Sequence, residues 1–240
     1  MPPARLPIAL LLLPSMVVAK MEPMMGKLTS CDNARENLEI DWNPADFTVY
    51  TCPSPQRWTP DVSIRPFYYE IPNFDPTKDE VDHRCINESI VYADSPPLRG
   101  EHRPNWPVYG TYLYVPPQRW LHNLEHGAVV LLYHPCVDSG ELQSAMDVLR
   151  GCLRRHIITP FPWLNQTYPL TLVTWGTKLQ LNTVHRPTLI DYIKKHAHRA
   201  PEEISREGKF DSFLVARAEI VSDLDDSRVC PSEDATVEKP

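Results

Sequence analysis

Hydrophobic and polar positions divide this chain unevenly. Residues 20–85 carry little periodicity and read as loops and turns, with Trp42-Asn43-Pro44 and Cys52-Pro53-Ser54-Pro55 as examples; proline restricts both itself and its predecessor. The β-branched and aromatic residues of 86–93 predict a first strand, and the aromatic-rich stretch 109–115 a second. Pro116-Pro117 then opens a short helix, because proline is pre-organised for the first helical position. Trp120, Leu121 and Leu124 supply its apolar stripe, and Gly127 suits a left-handed cap that ends it. Residues 128–133 form an unbroken apolar run of strand length, which predicts burial on both faces.

A helix over 140–156 follows, with Leu142, Met146, Leu149 and Leu153 at helical spacing. Residues 159–169 read as a proline-rich loop and 170–175 as another buried strand, which Gly176-Thr177 turns into a short hairpin partner over 178–181. Pro187 opens a last helix with Leu189, Ile190, Ile193 and Ala197 as its buried stripe. The order predicts an α+β fold: a mixed sheet packed with two or three helices behind a long, irregular, proline-rich N-terminal wrap. The expected divisions are a leader at 1–19, a disulfide-stapled segment at 20–85, a core at 86–222 and a polar tail at 223–240.

The leader changes the picture of where the chain works. Arg5 precedes a short apolar run from Ile8 to Val18, with small residues before Lys20. That is the pattern of a secretory signal peptide, and the run falls short of the roughly 20 apolar residues a spanning helix needs. No later segment is long enough, so the chain is expected to be secreted or lumenal, without a transmembrane anchor. It contains 6 cysteines and no CxxC pair. Behind a signal peptide this favours disulfides over a zinc knuckle or a redox centre. The preferred bridges are Cys136–Cys152, closing about 15 residues for about 3 kcal/mol in the chain-entropy model, and Cys31–Cys52. Sequons at Asn87 and Asn165 add an expectation of two glycans.

A formal net charge of −7 with both signs interspersed argues against nucleic acid or an anionic membrane as partner. A protein partner is compatible with it. With only 8 glycines, the chain has no phosphate-binding glycine loop and no G-x-S-x-G nucleophile elbow.

One cluster stands out chemically: His122-Asn123-Leu124-Glu125-His126. On a helix, His122 and His126 lie one turn apart with Glu125 on the same side, an arrangement in which imidazoles can share a metal. The order H-x-x-E-H is also that of the inverzincin peptidases, whose glutamate activates a metal-bound water. A catalytic zinc needs a third protein ligand, for which His102, His134 and His83 are candidates. Three readings follow: a structural hydrogen-bonding network with His126 favoured by the helix dipole, a metal-holding site, or a zinc-dependent hydrolase with Glu125 as general base. Because imidazole suits several metals, a copper-handling module is a variant of the second. Glu202-Glu203 and Asp225-Asp226 read as solvated surface, and His196 and His198 as an exposed basic helix end.

The segments Ser95-Pro96-Pro97-Leu98-Arg99-Gly100-Glu101-His102 and His122-Asn123-Leu124-Glu125-His126-Gly127 resemble the domain of unknown function 3105 family, as do Thr174-Trp175-Gly176 and Arg199-Ala200-Pro201-Glu202. The chain departs from the bacterial pattern at Leu98 and Arg99, where a small residue and a serine are expected. The resemblance implies His102 as the third ligand beside His122 and His126. Likeness to animal members carried by Leu132-Tyr133-His134-Pro135-Cys136 implies a p53-inducible, membrane-associated protein linked to growth control, with no enzymatic activity attached. The expected lack of a C-terminal anchor is a departure from those members.

Overall fold

The computed structural model describes residues 31–234, so the leader expected at 1–19 lies outside the described residues. Seven strands form one mixed sheet: β1 (Phe67–Glu70), β2 (Gly110–Tyr112), β3 (Val129–Tyr133), β4 (His156–Pro160), β5 (Leu170–Thr174), β6 (Thr177–Leu181) and β7 (Leu214–Arg217). Helices α1 (Pro117–Glu125), α2 (Ser139–Cys152) and α3 (Arg186–His196) pack on it, and α4 (Pro231–Asp234) is a single turn. The strand order is β1-β6-β5-β3-β4-β2-β7, with β4 parallel to β2 and β3 and the remaining pairs antiparallel. This is the expected α+β fold.

The apolar run before and through β3 is buried on both faces. Val130 and Leu132 join Trp120, Leu121 and Leu124 of α1 in one core, together with Tyr109, Tyr112, Val173 and Trp175. Val129 and Leu131 point the other way, onto Val148 and Leu149 of α2 and Leu189 and Ile193 of α3. Strand alternation thus feeds two cores from one continuous run. Asp138 caps α2 by accepting from the amides of Gly140 (2.8 Å) and Glu141 (3.0 Å), which satisfies donors that have no partner inside the helix.

Several expectations are corrected. Residues 86–93 form no strand; Ile86 and Ile90 are buried anchors of an irregular loop. The second helix ends at Cys152 and the chain turns at once into β4, a strand missed within the expected helix end and loop. The β-branched Ile157-Ile158-Thr159 favours a strand there. Edge strands β1 and β7 were also unforeseen, since both are exposed and lack a buried face.

All six cysteines are bridged, but as Cys31–Cys85, Cys52–Cys136 and Cys152–Cys230. The expected Cys136–Cys152 pair fails because Cys136 precedes α2 and Cys152 is its last residue. A 14-residue helix separates its ends by about 20 Å at about 1.5 Å per residue. Cys31 bridges to the loop after His83 rather than to Cys52, and Cys52 instead meets the chain just beyond β3. Three disulfides are consistent with a secreted or lumenal protein. Among the described residues no helix is long and apolar enough to cross a membrane.

Candidate metal centre

Pro117 starts α1, and every residue from Arg119 to Glu125 is buried. A helix carrying four polar side chains into a core needs a partner for each. Arg119 finds Asp32, donating to both carboxylate oxygens at 2.6 and 3.0 Å, and also the Asn105 carbonyl at 3.0 Å. Asn123 donates through Nδ2 to the Pro107 carbonyl at 3.0 Å. His122 donates through Nδ1 to the Arg103 carbonyl at 2.6 Å. A carbonyl only accepts, so Nδ1 carries the proton and a neutral His122 turns the lone pair of Nε2 inward.

His102 Nδ1 likewise donates to a backbone carbonyl, that of Gly100 at 2.8 Å, while its Nε2 is hydrogen-bonded to Glu125 Oε2 at 3.0 Å. His83 completes the group, with Nε2 at 3.4 Å from the same oxygen. The His122 Nε2 lies 3.8 Å from it. The three rings form a nearly equilateral triangle, with centroids 4.7, 4.6 and 4.7 Å apart. One donor atom from each of His83, His102, His122 and Glu125 lies within 4.8 Å of every other. Ligands about 2.0–2.2 Å from a tetrahedral zinc stand roughly 3.3–3.5 Å apart, and the three nitrogen–oxygen distances bracket that spacing.

Electrostatics prepares the same point. Burial, reinforced by His126, His102 and His83, holds the His122 imidazole well below its usual pKa and therefore neutral, the form that binds metal. Burial alone would raise the Glu125 carboxyl, but the charges of His102 and His83 and the hydrogen bond from His102 outweigh it and hold the group low. The Nε2 atoms of His83 and His122 are buried without a hydrogen-bond partner, a cost that a shared cation would remove.

The supports are long-range. Backbone pairing joins His83 to His102, with the Arg84 amide donating to the His102 carbonyl at 2.9 Å. Arg103 is fully buried and clamps the His83 loop, donating to the carbonyls of Arg84 (3.2 Å), Cys85 and Glu88 (2.8 Å) while ion-pairing with Asp41. The Cys31–Cys85 bridge closes the same loop two residues beyond His83. Trp106 packs 4.7 Å from the His122 ring.

His102 and His122 therefore meet, and His83 joins their donor set whereas His126 belongs to a neighbouring one. His126 is the cap residue beyond the last helical position, and its ring meets that of His122 edge-on at 4.6 Å. It is completely buried, pushed to low pKa by burial, and lies 3.4 Å from Glu202 Oε2. Burial outweighs the Glu202 and Glu125 carboxylates, which favour its charged form. His134, the remaining candidate, is elsewhere, stacked at 4.0 Å on Trp58.

Glu202 was missed because it stands among charged residues that read as surface; its side chain is only 29% exposed. The supposed exposed basic end of α3 is likewise corrected. His196 is buried beside Tyr192 and Tyr68, and His198 packs on Arg155 and accepts from its guanidinium. Gly127 explains why the chain can close here. Its φ is +81°, and a Cβ would sit 2.8 Å from His198 Cα. The Glu202 amide then donates to the Glu125 carbonyl at 3.1 Å.

No curated protein and no solved structure matches the chain. A family model described as "Protein of unknown function (DUF3105)" matches residues 83–208, just over half of the chain and a span that holds every residue of the cluster from His83 to Glu202, so the chain belongs to the DUF3105 family.

Proposed function

We propose that this chain is a secreted or lumenal glycoprotein that holds a divalent transition metal, zinc or copper, between His83, His102, His122 and Glu125. One observation carries the proposal: four donors from three separate segments converge, and two of the buried imidazole nitrogens have no other partner. Nδ1–H donation from His102 and His122 to backbone carbonyls supports it further, because metal-bound histidines are oriented in this way. Nitrogen and carboxylate donors without sulfur suit zinc or copper(II).

Four protein donors fill a tetrahedral shell, which suits a holding or structural site. A zinc-dependent hydrolase would need Glu125 to stand off the metal as general base, whereas its carboxylate sits among the three imidazoles. The exposed asparagines Asn87 and Asn165 are the glycan sites of the same proposal. Association with a membrane and a role in growth control rest on likeness to animal members alone, and would act through a protein partner.

Elemental analysis of the purified full chain tests the metal. Wild type is expected to retain zinc or copper through dialysis, while His122→Ala and the milder His83→Ala, at a partly exposed ligand, lose most of it. Equal metal content in wild type and both variants would reject the site.

A further inference from the structure

Beside the four-donor centre, the end of α1 carries a second set of unsatisfied groups. His126 is completely buried, and neither ring nitrogen has a hydrogen-bond partner. Oε2 of Glu202 is buried and unpartnered too, 3.4 Å from His126 Nε2. Donor atoms of Glu125, His126 and Glu202 all lie within 4.8 Å of one another. Glu125 thus belongs to both groups, and a carboxylate has two oxygens with which to serve two ions.

We infer that the chain has a second divalent-cation position formed by His126, Glu202 and a shared Glu125. The inference rests on the four-donor centre being a metal site. Backbone contacts hold the second set in place: the Glu202 amide donates to the Glu125 carbonyl at 3.1 Å, and the His198 amide to the Gly127 carbonyl at 2.9 Å. Trp106 meets the His126 ring edge-on at 4.5 Å and the His122 ring at 4.7 Å, so one indole packs against a ligand of each position.

The two positions differ in kind. The first has four protein donors, three of them imidazoles. The second has one imidazole and two carboxylates, and its Glu202 side chain is 29% exposed. Three protein donors leave a place for water or another ligand, and a carboxylate-rich set favours harder divalent ions such as manganese(II) as well as zinc. The second ion is therefore the exchangeable one and leaves first on exposure to a chelator. In two-metal sites the ions stand about 3.5–4 Å apart, close enough for a shared carboxylate to couple them magnetically.

Native mass spectrometry of the disulfide-intact full chain, loaded with zinc(II) or cobalt(II) alone, counts the ions. Two ions per wild-type chain are expected, one in Glu202→Gln and in His126→Ala, with the chelator removing one ion well before the other. Wild type holding a single ion that Glu202→Gln leaves untouched would overturn the second position while sparing the first. Wild type holding none would remove both, and two ions persisting in Glu202→Gln would place the second elsewhere. Cobalt(II) electron paramagnetic resonance needs no variant: the first equivalent should give an isolated-ion signal and the second should quench it. Strictly additive signals would also overturn the inference.

Discussion

His156 shows how a single buried side chain makes this fold sensitive to pH. It opens β4 completely enclosed and donates through Nδ1 to the Leu153 carbonyl at 2.8 Å. Burial, the largest influence, lowers its pKa from 6.5 to about 4. Between those two values the unfolded chain binds a proton that the folded chain refuses, so stability falls as pH drops from 6.5 towards 4 and levels off below. Full protonation of the unfolded state costs on the order of 3 kcal/mol. In His156→Asn the amide nitrogen stands where Nδ1 does and can keep the carbonyl contact without titrating. Urea midpoints of the metal-free chain measured from pH 7 to 4 are then expected to lose about one proton of slope. An unchanged slope would show that His156 does not titrate in this range.

At the scale of the element, α1 can hold His122 and Glu125 in the core only because its other polar groups are satisfied. Arg119 and Asp32 are both buried and doubly hydrogen-bonded. Removing one partner of such a pair leaves an uncompensated charge and costs about 3–5 kcal/mol. Asp41 Oδ2 lies 3.8 Å from Arg119 Nε and shares part of the load, so Asp32→Ala is expected near the lower end. Replacing both members by apolar residues, Asp32→Leu with Arg119→Met, should cost less than Asp32→Ala alone. Urea denaturation of the three proteins decides it, and a double variant less stable than the single would contradict the charge-burial account.

Across the whole molecule, the disulfides divide into those that only stabilise and one that also shapes the site. Cys31–Cys85 spans 54 residues and Cys152–Cys230 spans 78. Each is worth about 4 kcal/mol in the chain-entropy model. Only the first restrains the loop that delivers His83. Replacing either pair by serine should lower stability by similar amounts, while only Cys31→Ser/Cys85→Ser should weaken zinc retention in competition with a chelator. Equal loss of zinc from both double variants would mean that the bridge does not position the ligand.

Local spacing alone placed His122 and Glu125 on one side of a helix between Pro117 and Gly127, and unbroken apolar runs marked β3 and β5. An even cysteine count without a CxxC pair marked the chain as disulfide-bonded. None of these depends on distant residues, because helix periodicity, strand alternation and thiol chemistry are short-range properties. Tertiary structure decided the rest. It set His83 beside His102 and His122, since Arg103 with Cys85 pulls a remote loop against His102, and it brought His126 to Glu202. It chose the cysteine partners because α2 carries Cys152 far from Cys136. It also half-buried Glu202, whose charged neighbours disguise a side chain that only the closure at Gly127 brings to the end of α1.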